Sequence, residues 1–305
     1  MKYYKNGRFG GKYDSIAALS LLDILKWKLF SGTLFASKRE EPYTLEVKDE
    51  TERLHMKEDF ICWLGHASFL IQLGGKRLLV DPVLGNIPFY KRHTPSPYSA
   101  DMLGRIDHLL LTHTHYDHFD TASLKQLLPR SSHACIPLKM GKLLRKIDTT
   151  VPYTELDWYR TYTDEGMKIT FVPAKHWGRR GVFDKNRVLW GGFVIAYGGT
   201  TLYIAGDSAP GDHFEAIGEA FDIDMALLPI GAYSPRVIMK HNHMTPQEAY
   251  DAFKALRAKV MVPMHYGTFK LSDEPMDEPL AWMKEIVEGT PHRIEFLIPG
   301  KIWMI

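Results

Sequence analysis

His113-Thr114-His115-Tyr116-Asp117-His118 follows directly on a short apolar run, His108–Leu111. In an extended segment, side chains two apart project to the same side, so the His113 and His115 rings can converge on one point. The turn at Asp117-His118 can offer two more donors beside it, enough for two metal ions. One such cluster cannot close two coordination shells. The reading therefore demands further His and Asp at other strand ends, which a chance run of polar loop residues would not supply.

Three residues meet the demand. His176 follows the apolar run Lys168–Pro173, Asp207 sits in Ala205-Gly206-Asp207-Ser208 just past Thr201–Ala205, and His265 follows Val260–Pro263. Each stands at the carboxyl end of an apolar strand, where a two-sheet sandwich collects its loops. Alone, any of them reads as a hydrogen-bonded structural residue; together they point to metal. Imidazoles and carboxylates without thiolate suit borderline divalent ions, zinc first, with iron and manganese left open. The two cysteines, Cys62 and Cys135, are too few and too far apart for a disulfide framework or a metal knuckle, and read as buried thiols.

Working outward, Phe60–Trp63, Ser68–Leu73 and Arg77–Val80 read as a strand meander with a hairpin at Gly74-Gly75. A helix is expected through Ser123–Leu128, and strands at Val188–Ala196, Thr201–Ala205 and Met225–Leu228. A helix from Thr245 to about Lys259 opens with a Thr245/Glu248 capping box and Pro246 at its first position. The second half repeats the layout of the first, so the expected fold is α/β, two sheets face to face with helices outside. Residues 1–58 stand apart as an N-terminal extension and 59–305 form the core domain. Within the extension Ile16–Phe30 reads as a helix whose large side chains point nearly all round, fit to dock on the core or on a second subunit in a homodimer rather than to lie in lipid.

The composition limits the partners. Of 305 residues 45% are hydrophobic and 24% charged, an ordinary globule, and 38 Lys+Arg against 36 Asp+Glu leave a net charge of +2. No long-range basic field exists to draw the chain onto nucleic acid. No stretch reaches the ~20 apolar residues of a membrane span, and the start lacks the apolar core of a secretory signal, so a cytoplasmic location is expected, with peripheral membrane contact left open.

H-x-H-x-D-H followed by a separate His, a Gly-Asp pair and a late His resembles the ligand series of the metallo-β-lactamase fold, a four-layer αββα sandwich. Trp63-Leu64-Gly65-His66-Ala67, Asp81-Pro82, His176-Trp177, Val188-Leu189-Trp190-Gly191, the run Pro229 to Arg236 and His265-Tyr266-Gly267-Thr268-Phe269 narrow the resemblance. They are similar to the phospholipase D family that hydrolyses N-acylphosphatidylethanolamines. Tyr266 stands where that family usually has Trp, a departure that bears on pocket shape. The resemblance implies two divalent metal ions: His113, His115 and His176 on the first, Asp117, His118 and His265 on the second, Asp207 bridging. Metals about 3.5–4 Å apart can share a hydroxide, so no Ser or Cys nucleophile is needed. Asp117 and His243 are then the candidate catalytic residues and Tyr233, Arg236 and His243 the candidate substrate contacts, with His66 supporting a ligand. The implied substrate is a phosphodiester, a phospholipid or a smaller molecule. A lactonase or other carbonyl-bond hydrolase is the alternative, and a nuclease a more distant one.

Overall fold

A computed structural model describes residues 3–15 and 43–305; the expected helix Ile16–Phe30 lies outside the described residues. Near the start, β1 (Tyr4–Lys5) and β2 (Arg8–Phe9) form a small hairpin. Then follow β3 (Phe60–Gly65), β4 (Ser68–Leu73), β5 (Lys76–Val80), β6 (Ile106–Leu110), β7 (Ser131–Pro137) and β8 (Tyr153–Leu156). After them come β9 (Arg160–Asp164), β10 (Met167–Val172), β11 (Gly192–Tyr197), β12 (Thr200–Ile204), β13 (Met225–Pro229), β14 (Val260–Met264), β15 (Arg293–Ile294) and β16 (Ile302–Met304).

Two seven-stranded sheets share one plan. The first runs β16-β3-β4-β5-β6-β7-β8 and the second β9-β10-β11-β12-β13-β14-β15. In each, the first three pairings are antiparallel and the last three parallel. The halves thus repeat, with the C-terminal β16 taking in the first sheet the place that β9 takes in the second.

Alternation sets the layers. Ile61, Trp63, Phe69, Ile71, Leu78 and Val80 join Phe171, Phe193 and Ile195 in the larger core, between the sheets. Their neighbours Phe60, Cys62, Leu70 and Leu79 turn the other way, onto Leu103 and Leu124 of the helices Ala100–Leu103 and Thr121–Leu127. A side chain points to one face per two residues in a strand, so each strand buries both sets. On the second sheet the helix Pro246–Leu256 buries Ala249, Tyr250, Phe253 and Leu256, a helical spacing. Its expected capping box forms, Thr245 Oγ1 accepting from Glu248 N at 3.2 Å and Glu248 Oε2 from Thr245 N at 2.8 Å. Both cysteines are buried and free, the Cys62 thiol pushed up to about 12 by burial.

One expected strand is shorter than its apolar run. Val188–Gly191 is not part of β11: Leu189 N donates to Leu138 O and Gly191 N to Thr112 O, so these amides tie loops together instead of joining the ladder. A Cβ at Gly191 would stand 2.2 Å from Val172 O, an approach only glycine allows. Among the described residues no helix is long and apolar enough to cross a membrane.

Candidate metal centre

The loops leaving β5, β6, β10, β12 and β14 carry Asp81, His113 to His118, His176, Asp207 and His265, all from carboxyl ends of strands. The loop after β6 closes tightly, His118 N and Phe119 N both donating to His115 O. Asp120 then caps the helix Thr121–Leu127 by accepting from Ser123 N at 2.9 Å. That turn brings the His118 ring beside His113, their centroids 4.2 Å apart, with Asp117 next to it.

Two clusters result. His113, His115, His176 and Asp207 bring one donor atom each within 4.8 Å of one another, and so do His66, Asp117, His118 and His265. In the first, His113 Nε2 and His176 Nε2 lie 3.0 and 3.1 Å from His115 Nδ1. In the second, Asp117 Oδ2 stands 3.6 Å from His118 Nε2 and 3.5 Å from His265 Nε2. Asp207 joins them: Oδ1 faces His118 Nε2 at 3.2 Å and His265 Nε2 at 3.0 Å, while Oδ2 faces His113 and His176 at 3.8 and 3.7 Å.

Several of these donors are left over. Nε2 of His118 and of His265 and Oδ1 of Asp207 are buried with no hydrogen-bond partner. Buried polar atoms are ordinarily paired, so converging unpaired nitrogens and oxygens fit a bound divalent cation. The chemistry of the set agrees, all imidazole and carboxylate.

A supporting layer fixes the rings. Asp81 accepts from His118 Nδ1 at 2.7 Å and is itself held by Thr112 N and Thr112 Oγ1. The His176 Nδ1 meets the carbonyl of Asn242 at 3.0 Å, and Asn242 Oδ1 accepts from Ser15 Oγ at 2.7 Å. Ser15 N donates to His176 O and His176 N to Tyr13 O, so the N-terminal segment straps this ring in place. His66 Nε2 lies 3.0 Å from Asp117 Oδ2. His66, Asp81 and His265 all have positive φ, at 54°, 39° and 65°, a backbone strain that non-glycine residues carry where the surroundings impose it.

Electrostatics divide the clusters. Burial pushes His113 and His176 well below the usual histidine range and His115 down to about 4, leaving neutral rings with lone pairs to offer. His118 and His265 are equally buried, yet Asp207 and Asp117 outweigh that, holding His118 well above its ordinary value and His265 at about 9.

His243 is more enclosed than a rim residue. It is 9% exposed, its Nδ1 lies 3.9 Å from Asp207 Oδ2, and it groups with Asp207 and His265. Among the described residues Tyr233 makes no hydrogen bond or ion pair to the two clusters, and Arg236 reaches only the backbone of His243 beside them. Tyr233 donates its hydroxyl to Glu278 Oε1 at 2.5 Å, and Arg236 pairs with Glu248 at 2.6 Å and with His243 O at 3.2 Å. Tyr266, expected to shape a pocket, is buried with its ring 5.0 Å from Trp63. Arg180 lies over the Tyr116 and Phe119 rings and donates to Phe119 O, a structural post. The supporting roles of Thr112, Asn242 and Ser15 were missed by the sequence reading; Asp81 carried one signal, its place directly after an apolar strand.

A family model described as the beta-lactamase superfamily domain matches residues 76–266. An N-acyl-phosphatidylethanolamine-hydrolyzing phospholipase D of Caenorhabditis elegans is 33% identical, over 75% of this chain and 70% of that one. A protein of Pyrobaculum aerophilum described as a UPF0173 metal-dependent hydrolase is 35% identical, over 71% of this chain and 88% of its own. A solved metallo hydrolase of Ignicoccus hospitalis superposes with a TM-score of 0.63 at 23% identity, covering 81% of this chain and 98% of that one, a likeness of fold. The chain belongs to the beta-lactamase superfamily, the metallo-β-lactamase fold of metal-dependent hydrolases, in the group that includes these relatives of the phospholipase D and UPF0173 types.

Proposed function

We propose that the chain is a dinuclear metal-dependent phosphodiesterase of the N-acylphosphatidylethanolamine phospholipase D type. The observation that carries the dinuclear reading is Asp207, whose two carboxylate oxygens are divided between two clusters of imidazoles. His113, His115 and His176 would hold one ion, Asp117, His118 and His265 the other, and zinc suits the set. When bound, the two ions supply Lewis acidity towards a phosphoryl oxygen and lower the pKa of water, which removes the need for a side-chain nucleophile.

The chain's own residues do the rest. Asp81 holds His118 by its Nδ1 and Asn242 holds His176 by its Nδ1, so each ring presents Nε2 to the centre in a fixed orientation. His66 steadies Asp117 through the oxygen that faces His118 and His265. His243, pushed down to about 4 chiefly by burial, is a neutral ring that can donate a hydrogen bond to a non-bridging phosphoryl oxygen. The 33% identity with the C. elegans phospholipase D supports a phosphodiester substrate.

Metal analysis of the purified protein with a panel of phosphodiesters, lactones and lactams tests the reading. About two ions per chain and turnover of phosphodiesters are expected. Turnover of a lactone or lactam with none of any phosphodiester would place the chain among the carbonyl-bond hydrolases instead.

A further inference from the structure

Phe89 and Phe183 are the most exposed large apolar side chains among the described residues, 96% and 80% open to solvent, with Val182 at 71%. A scattered exposed apolar residue needs no explanation, but these three stand on two loops at one end of the molecule. The loop after β5 carries Asp81 and Phe89; the loop after β10 carries His176, Val182 and Phe183. Tyr116, from the ligand loop after β6, ties them together. It packs on the cluster of Val83, Ile87 and Phe269 beside the first loop, and its hydroxyl donates to Arg180 O in the second at 2.8 Å.

A second observation lies beside the second loop. Lys139, Lys142, Lys146 and Arg187 line a cleft of about 990 Å³ that reaches Thr114, between the candidate ligands His113 and His115. Lys142, Lys146 and Arg187 are exposed and form no ion pair among the described residues. The cleft's two carboxylates are used elsewhere: Glu155 accepts from Gly141 N and Asp184 from Gly181 N, each at 2.8 Å. One unpaired cation, Arg187, and two bare apolar tips therefore share one loop, residues 182–187, that leaves the candidate centre, and Lys142 and Lys146 face Arg187 across the cleft. A protein partner would meet a continuous apolar patch, whereas separate tips beside a set of cations complement an anionic lipid interface.

We propose that this end of the molecule docks on an anionic phospholipid bilayer. Phe89, Val182 and Phe183 enter the headgroup region, and Lys142, Lys146 and Arg187 engage lipid phosphates. Docking would present the centre to a substrate held in the bilayer; that consequence rests on the phosphodiesterase reading, whereas the docking itself does not.

Flotation of the full-length, metal-loaded protein with vesicles of phosphatidylcholine alone, or mixed with phosphatidylglycerol, tests it without turnover. The parent should float with the mixed vesicles and more weakly with the neutral ones, the difference falling with salt. Val182→Ser with Phe183→Ser should lower binding to both compositions. Lys142→Glu with Lys146→Glu should lower binding to the mixed vesicles by about tenfold or more and erase the preference between them, at roughly fivefold per cation lost. Unchanged metal content and thermal midpoint show that each variant is folded. A parent that stays in solution with both vesicle types, or either folded variant floating as the parent does, overturns the proposal.

Discussion

Oδ1 of Asp207 lies 3.0 Å from Nε2 of His265, while Oδ2 of the same carboxylate is turned to His113 and His176. One side chain thus serves both clusters, and its loss cannot be confined to one. Asp207→Ala should reduce bound metal from about two ions per chain towards none, whereas His176→Ala should remove about one. Elemental analysis after desalting checks this, and equal retention in Asp207→Ala and the parent refutes the bridge.

Asp81 touches only the far nitrogen of His118, at 2.7 Å, yet it sets which nitrogen of that ring is offered to the centre. Asp81→Asn keeps the shape and removes the charge. Supporting carboxylates of this kind are worth about 10–100-fold in metal affinity. Chelator competition should show that loss in the ion held by Asp117, His118 and His265, with the other ion held as in the parent.

Ser15 acts at the other cluster. Its hydroxyl fixes Asn242, whose carbonyl meets His176. Ser15→Ala removes one hydrogen bond, about 1 kcal/mol, so affinity at the His113/His115/His176 site should weaken by roughly fivefold. The same competition experiment on an Asp81→Asn background should find the two effects independent, because they touch different ions.

Stability should depend on pH through a ring outside the centre. His213 is buried with Nε2 2.9 Å from Ser208 Oγ, and burial pushes it down to about 3. In the unfolded chain the ring titrates near ~6.5. Between those values the unfolded chain takes up a proton that the folded chain refuses. Stability from this group is therefore complete above ~6.5 and falls by ~1.4 kcal/mol per pH unit as pH drops towards 3. Denaturant midpoints of metal-free protein should show a shallower acid limb in His213→Gln; an unchanged limb rejects the assignment.

What the sequence disclosed and what it hid have the same cause. The donors in the two clusters were legible because each ends an apolar strand, and an apolar run is the strongest local signal a chain carries. β9, Arg160–Asp164, was not legible: it is an edge strand of polar residues, largely exposed, so it has no hydrophobic alternation to read. Val188–Gly191 misled in the opposite sense, being buried and apolar but spending its amides on loops. The supporting layer joins Ser68 to Asp81 across 13 residues, Thr112 to Asp81 across 31, and Ser15 to Asn242 across 227. No local pattern encodes such pairings. Tyr233 and Arg236 were named from motif alone, and their contacts with Glu278 and Glu248 depend on how distant helices are placed.

His243 separates a substrate contact from a ligand. Its Nδ1 is 3.9 Å from Asp207 Oδ2 and its ring is buried beside His265, close enough that a role in holding metal has to be tested rather than assumed away. On the proposed dinuclear reading seven other residues would supply the donors of both ions, and burial keeps this ring neutral, down to about 4. A neutral imidazole has no spare proton for a departing alkoxide but can donate its N–H to a phosphoryl oxygen, an interaction with a charged group worth about 1.5–3 kcal/mol. His243→Ala should therefore keep the parent's metal content and lose roughly 10–150-fold in turnover. Because positioning matters whatever the leaving group, the loss should be about equal for a poor alkoxide and for an activated nitrophenyl phosphodiester. A defect that shrinks for the activated ester would show that the ring delivers a proton after all. Loss of an ion in this variant would make His243 a ligand, and full activity on both esters would remove it from the site's chemistry.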